Sequence, residues 1–418
     1  MTQRQPWSPA EEALCQLLTE QGRDSAEIAA TFTERGIPRT QKAISRLKAR
    51  KHWHAGVVAK SDGGAHEESL PELDAIVLRK LRESRWSVED LADALDRGPG
   101  TVREAVQRLA AGGYGIHTDE RGVSLPRTPP PSDIVLPPMW DTRARVISWA
   151  ACSDTHYGSR FTQKSAFKAF VQTAREEHGV EHVLISGDLT AGQGVYRGQE
   201  HEVYATGADE QVDDFVHDLP EYEGLTYIVC GGNHDYSHYR TGGVDVLRQI
   251  AQLRPDVVNA GWDSADVLLT EHASCRMWHP SGGMPYALSY RGQKYAAQIA
   301  YQELIDVVMG TKPLPTTRMV QIGHLHVMGG PFSQGPMDVF QAGCFEGTNG
   351  YLKAKGVAPS IGGYLYEAEV TETGLLRRVT VHRYMYGERE DDYKNHRLPE
   401  TERPVRVQMF AWGDLPAA

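Results

Sequence analysis

YIVCGGNHD, residues 227–235, passes from four apolar or aromatic residues through two glycines to an amide, an imidazole and a carboxylate. A short apolar run closed by glycine reads as a buried strand. In layered α/β proteins, the residues just past such strand ends are where sites form. Four other runs end the same way. VISWAACS (146–153) leads to Asp154-Thr155-His156, HVLIS (182–186) to Gly187-Asp188, CRMW (275–278) to His279-Pro280, and RMVQI (318–322) to Gly323-His324-Leu325-His326. With amphipathic helical stretches between them, these runs predict an α/β layered domain from about residue 145, its five polar clusters gathered at one rim.

The residue types point to metal chemistry. Carboxylate, imidazole and amide ligands together suit borderline divalent ions such as Mn²⁺, Fe²⁺ or Zn²⁺, whereas all-oxygen sets suit Mg²⁺ or Ca²⁺. One carboxylate can bridge two such ions about 3.5–4 Å apart, which then activate a water and clamp the oxygens of a phosphoryl displacement. Glycines before Asp188, Asn233 and His324 allow the backbone to approach closely. Each cluster alone is weak, and His178, His182, His201, His217, His238 and His272 show how many other histidines the region offers. The order DxH, GD, GNHD, H, GHxH, spaced by 34, 45, 46 and 45 residues, is what carries weight.

That ordered set resembles the calcineurin-like metallophosphoesterase family over roughly residues 145–385. The resemblance implies a four-layer α/β/β/α domain. It assigns Asp154, His156 and His326 to one metal, Asn233, His279 and His324 to a second, and Asp188 to both. It also implies that His234 protonates the leaving oxygen and that Asp235 orients its imidazole. His272 is the alternative to His279, which is preferred because HPSGG follows the apolar run directly. GDLTAGQGVYRGQE (187–200) is similar to the proofreading small subunit of archaeal family D DNA polymerase. QAGCFEGTNGYLKAKGVAPSIGG (341–363) resembles phage-encoded members of the superfamily, and nuclease subunits of double-strand-break repair complexes share GNHD and GHxH. The implied cofactor is a pair of divalent ions, Mn²⁺ foremost, with Fe²⁺, Zn²⁺ or Mg²⁺ as alternatives. Tyr157, Arg160, Tyr236, His238 and Arg240 flank the motifs and are candidate substrate contacts.

The chain of 418 residues has room for two or three modules, and 40% hydrophobic with 24% charged residues is ordinary for a globular protein. Its net charge of −11 speaks against nucleic acid until it is divided. Residues 1–130 hold 19 Lys/Arg and 19 Asp/Glu, so the whole excess of acid lies beyond them. Between Arg35 and Lys51 there are seven bases and no acid. Ser8-Pro9-Ala10-Glu11, Asp24 to Glu27, and Thr40 are helix-start signals, with Ile28, Phe32, Ile44 and Leu47 facing inward. The segment resembles Myb or homeodomain-like helix-turn-helix domains, and Arg39, Lys42, Arg46, Lys48 and Arg50 are its candidate DNA contacts. Residues 71–125 read as a winged helix. Helices begin near Leu73, at Ser87 and at Thr101, the last ends at Gly112-Gly113, and a hairpin turns near Glu120 to Gly122. There Arg103, Gln107 and Arg108 could reach a groove, although 9 bases against 13 acids over 61–130 leave a protein-contact role equally open.

The expected order is therefore a helix-turn-helix (1–53), linker (54–70), winged-helix-like module (71–125), Pro-rich linker (126–140), phosphoesterase domain (141–386) and charged tail (387–418). Five cysteines far apart argue against a disulfide framework, and without a CxxC against a thiolate zinc site. No apolar run approaches the roughly 18 residues of a membrane span, and the N-terminus lacks a signal-peptide pattern, so the expected compartment is the cytoplasm. The leading functional expectation is a two-metal DNA nuclease held on DNA by its N-terminal modules, with replication, repair or phage proteins as further partners. A phosphomonoesterase or small-molecule phosphodiesterase is the alternative, followed by a DNA-binding accessory protein with a vestigial site.

Overall fold

A computed structural model describes residues 15, 25–34, 40, 44, 47, 70–126, 135–136, 140, 144–285, 287–312, 316–395 and, as backbone, 405–411. The chain divides into two compact units, residues 1–64 and 65–418. In the first, helix α1 (Ser25–Glu34) carries Ile28 and Phe32 into a buried cluster with Cys15, Ile44 and Leu47. The predicted inward faces thus meet. Arg39, Lys42, Arg46, Lys48 and Arg50, and the Ser8 and Asp24 start signals, lie outside the described residues.

The second unit opens with α2 (Glu72–Glu83), α3 (Val88–Leu95) and α4 (Pro99–Ala111), followed by a hairpin of β1 (His117–Asp119) and β2 (Gly122–Ser124). Ser87 caps α3 by accepting from the Asp90 amide at 2.9 Å. Helix α4 starts two residues before the expected Thr101, because Pro99 occupies its first turn, where a fixed φ and a missing N–H cost nothing.

The phosphoesterase-like part comprises β3 (Val135–Leu136), β4 (Val146–Cys152), α5 (Lys164–His178), β5 (His182–Ser186), α6 (Ala208–Asp218), β6 (Thr226–Gly231), α7 (Asn233–Gly242), α8 (Val246–Leu253), β7 (Val257–Trp262), β8 (Ser264–Thr270) and β9 (Ala273–Trp278). It continues through α9 (Leu288–Val308), β10 (Thr317–Ile322), β11 (Gly329–Gln334), β12 (Met337–Gln341), α10 (Gly350–Lys355), β13 (Gly362–Val370), β14 (Leu376–Met385) and β15 (Val405–Ala411). Two sheets form, ordered β15-β14-β13-β4-β5-β6-β7 and β11-β12-β10-β9-β8-β3. Trp149, Leu184, Ile228 and Tyr366 from the first pack against Val267, Cys275, Met277 and Phe340 from the second. Phe167 and Phe170 of α5 cover the outer face of the first sheet, and Ala296 and Ile299 of α9 cover Val320 and Val339 of the second. The result is the α/β/β/α layering. Strands β4, β5 and β6 are parallel, and β10 is parallel to β9, so the five polar clusters all follow strand C-terminal ends.

Three features go beyond the sequence reading. Residues 70–126 share one continuous apolar cluster with α7, α8 and α5. Gly115 N donates to Gly243 O at 2.9 Å, Asp245 N to Gly113 O at 2.7 Å, and Arg82 to Gly242 O at 2.7 Å, all at or just past the end of α7. Within the Pro-rich stretch 126–140, Val135–Leu136 pairs with β8 and Trp140 packs edge-on against Trp149. Behind the charged stretch 387–404, VRVQMFA pairs with β14 as an edge strand. Its alternation was hidden by the charges before it. All five cysteines are buried and free, and no helix among the described residues is long and apolar enough to cross a membrane.

Candidate metal centre

The turns after β4, β5, β6, β9 and β10 bring all seven expected ligands to one rim. Asp154, His156 and His326 form one group whose ligand atoms lie within 4.8 Å of one another, and Asp188, His279 and His324 form another. Asn233 joins the second group, its Oδ1 3.2 Å from His279 Nε2. Asp188 Oδ2 lies 3.1 Å from His279 Nε2 and 3.9 Å from His156 Nε2, which puts one carboxylate between the groups. His272, the alternative ligand, sits at the opposite end of β9, in the β8–β9 turn.

The backbone is bent to this purpose. Asp154, His156, Asp188, His324 and His326 have φ of 51°, 47°, 53°, 75° and 56°, the left-handed region that costs non-glycine residues about 1–3 kcal/mol each. Such strain persists only where surrounding structure holds it. Asp154 Oδ2 accepts from the His324 amide at 2.9 Å, and Asp188 Oδ1 accepts from the His234 amide at 2.8 Å. A Cβ on Gly187 would meet His279 Nδ1 at 2.3 Å, and one on Gly232 would meet Asp188 Oδ1 at 2.1 Å, so only glycine lets these turns close.

The donor set fits divalent ions. Asp154 Oδ1 and His326 Nδ1 are buried without hydrogen-bond partners, which is costly unless something else satisfies them. Burial pushes the Asp188 carboxyl up, but His279 and His234 outweigh it and hold it well below the ordinary carboxylate range. Burial depresses His279 too, yet Asp188 overrides it and carries the imidazole up to about 9. His324 goes the other way, down to about 4, through burial and the neighbouring His279. Its Nε2 faces Gly282 O at 2.6 Å, on the HPSGG turn.

His234 stands beside the groups, with Nε2 4.0 Å from Asp188 Oδ2. Its Nδ1 meets Ala191 O at 2.5 Å. Asp235, expected to orient this imidazole, does so only at one remove. Its buried carboxylate accepts from the amides of Leu189, Thr190 and Gly232 and from Thr190 Oγ1, at 2.8–3.1 Å. It thereby fixes the loop that presents both Asp188 and Ala191 O. Burial and the charge of Asp188 push it up to about 6 against those four donors.

The centre lies at the base of a cleft of about 270 Å³. Three lining residues escaped the sequence reading. Glu346, 3% exposed, places Oε2 3.7 Å from His156 Nε2 and 3.8 Å from His326 Nδ1, and is held by Ser159 Oγ and Asn349 Nδ2. Tyr196 and Tyr351, ring centres 5.3 Å apart, form an aromatic wall, with the Tyr196 ring 6.2 Å from that of His234. All three stand inside the two stretches singled out by resemblance, 187–200 and 341–363, and that was their only signal.

The flanking candidates fall elsewhere. Among the described residues, the cleft lining includes none of Tyr157, Arg160, Tyr236, His238 and Arg240. Tyr157 is fully buried against Phe167 and Phe215, and His238 is buried beside Gln211. Tyr236 stacks on Tyr239, while Arg160 and Arg240 are exposed. In α4, Arg103 is exposed with Glu89 at 3.7 Å and Gln107 is exposed. Arg108 is engaged in a two-pronged pair with buried Asp74 at 2.7 and 2.9 Å.

Residues 148–327 match the calcineurin-like phosphoesterase family and form a domain of that kind. The chain is also homologous to archaeal DNA polymerase II small subunits. It is 33% identical to that of Halobacterium salinarum over 27% of this chain and 21% of the relative, and 27% identical to that of Methanocaldococcus jannaschii over 51% and 37%. The chain thus spans about a fifth to a third of the length of these relatives. A dimetal phosphatase from Danio rerio is similar at 11% identity and a TM-score of 0.31, covering 56% of this chain and 95% of that one.

Proposed function

From a calcineurin-like phosphoesterase domain, we propose that this chain is a two-metal phosphodiesterase acting on DNA. The observation that carries the reading is the cleft itself, with two ligand groups sharing Asp188 at its base and the Tyr196–Tyr351 wall at its side. Asp154, His156 and His326 would hold one divalent ion and Asn233, His279 and His324 the other, with Mn²⁺ foremost. Bound there, the pair supplies an activated water and a clamp on the phosphate oxygens. His234 does the proton work. With Nδ1–H donated to Ala191 O, its bare Nε2 faces the cleft, where it can take a proton from the attacking water and, once protonated, pass it to the leaving oxygen. Tyr196 and Tyr351 offer faces on which bases can stack, and Lys355, 5.6 Å from the Tyr351 ring, is a phosphate contact beside them.

DNA as the substrate is supported by the curated relatives, each named a DNA polymerase II small subunit, and by the basic stretch at 35–51. We assign Arg39, Lys42, Arg46, Lys48 and Arg50 to the DNA backbone, with Arg103 and Gln107 as secondary contacts. Arg108 is left out because Asp74 occupies it. A larger replication or repair subunit is the corresponding protein partner. Purified chain with Mn²⁺ is incubated with end-labelled single- and double-stranded DNA and with a small phosphodiester. Cleavage of DNA supports the reading, and turnover of the small ester with intact DNA refutes the DNA assignment.

A further inference from the structure

A further group of ligand-type side chains, none of them in those motifs, meets where α5 ends against the outer half of the seven-stranded sheet. His178 closes α5, Glu367 lies on β13 and His382 on β14. His178 Nδ1 is 3.0 Å from Glu367 Oε1, and His382 Nε2 is 3.2 Å from Glu367 Oε2. One ligand atom from each of the three lies within 4.8 Å of the other two. His382 pairs across the ladder with Leu365, two residues from Glu367, so both side chains stand on one face of the sheet.

We propose that His178, Glu367 and His382 form a further metal site, taking Zn²⁺ with water as the fourth ligand. Two imidazoles and a carboxylate are a donor set that zinc uses, and bonds of about 2.0–2.2 Å in a tetrahedron set ligand atoms roughly 3.3–3.5 Å apart. The observed 3.0 and 3.2 Å contacts reach different oxygens of Glu367, so a turn of the carboxylate that offers one oxygen to both imidazoles completes the set. The surroundings match those of a ligating histidine. His178 Nε2 is 2.7 Å from Tyr384 Oη, which fixes the ring so that Nδ1 faces Glu367, as outer partners of metal-bound imidazoles do. The two imidazoles are nearly buried, at 7% and 4% exposed, whereas Glu367 at 36% leaves an open side for water. The three ligands come from three elements, so a bound ion ties the end of α5 to β13 and β14. Without an ion the same side chains form only an imidazole–carboxylate hydrogen-bonded cluster, and that is the competing account.

The test is Zn²⁺ stoichiometry and affinity of the full chain, by chelator competition and elemental analysis, for wild type, Glu367→Gln and His382→Ala. Wild type is expected to bind one equivalent more than either variant, or to bind it at least about 100-fold tighter, the upper range for loss of even an outer partner of a ligand. The four-coordinate Co²⁺ absorption of that equivalent disappears in both variants, while Mn²⁺-dependent phosphoesterase turnover is unchanged. If His382→Ala does not fold, the nearly isosteric Glu367→Gln gives the same readout. Equal stoichiometry and affinity in wild type and Glu367→Gln would overturn the site and leave the hydrogen-bonded cluster.

Discussion

His234 Nδ1 lies 2.5 Å from the carbonyl oxygen of Ala191, and a carbonyl can only accept, so the ring's proton is on Nδ1 and Nε2 is bare toward the cleft. Burial foremost holds the imidazole below its ordinary value, which keeps it neutral at pH 7. His234→Ala is therefore expected to lower turnover by about 10²–10⁴-fold, the range for loss of a positioned group that takes up and returns a proton. Metal content measured by elemental analysis should stay at the wild-type level. Loss of metal together with activity would instead make His234 a ligand.

Asp235 is predicted to act through the backbone. Each oxygen accepts from two donors, Oδ1 from Thr190 N and Oγ1 and Oδ2 from Leu189 N and Gly232 N. Asp235→Asn turns one oxygen into an N–H donor facing other donors, with about 1–3 kcal/mol lost for each buried group left unpaired. Denaturant unfolding should show that loss, and the loop holding Asp188 should bind metal more weakly. Wild-type stability in the Asn variant would remove the strut.

The convergence of the seven candidate ligands was legible because each follows an apolar run, and the runs are strands whose C-terminal ends share a rim. Asp235 could be placed at the site but not given its partners, since nothing in GNHD tells whether its carboxylate meets an imidazole or three amides. Tyr157 and His238 were chosen for adjacency to motifs, yet neighbours in sequence point to opposite sides of a turn, and both go into the core. Likewise Pro-rich composition at 126–138 reads as a spacer, while the contact of Gly113 and Gly115 with Gly243 and Asp245 depends on backbone groups that no side-chain pattern advertises.

Glu346 brings a third carboxylate to the centre, after Asp154 and Asp188, beside His156 and His326. Two divalent ions carry four positive charges against two from Asp154 and Asp188, so a further buried anion lowers the remaining excess. Glu346→Gln removes the charge and keeps the shape and the bond from Ser159, but gives up the bond from Asn349 Nδ2. Affinity for one of the two ions should fall about 10–100-fold, as for loss of an outer partner, with the other unaffected in a titration. Two unchanged affinities would make Glu346 purely structural.

Metal binding should depend on pH with a defined sign. In the metal-free protein His279 is carried up to about 9, against its burial, by Asp188, and His156 and His326 are also raised by neighbouring carboxylates. His279 therefore holds its proton at neutral pH, and a metal must displace it, while the upward direction at His156 and His326 works the same way. Affinity therefore climbs as pH rises toward about 9, roughly tenfold per unit for each proton released. Metal-free stability moves the other way. A histidine whose folded value lies above its unfolded value of about 6.5 stabilises fully below that pH, and the gain is lost as pH rises through the folded value. The gap in Tm between metal-loaded and chelator-treated protein should thus widen from pH 6 to pH 9. Calorimetric titration in buffers of different ionisation enthalpy counts the protons directly, and a heat of binding independent of buffer would show that the imidazoles are already neutral before the metal arrives.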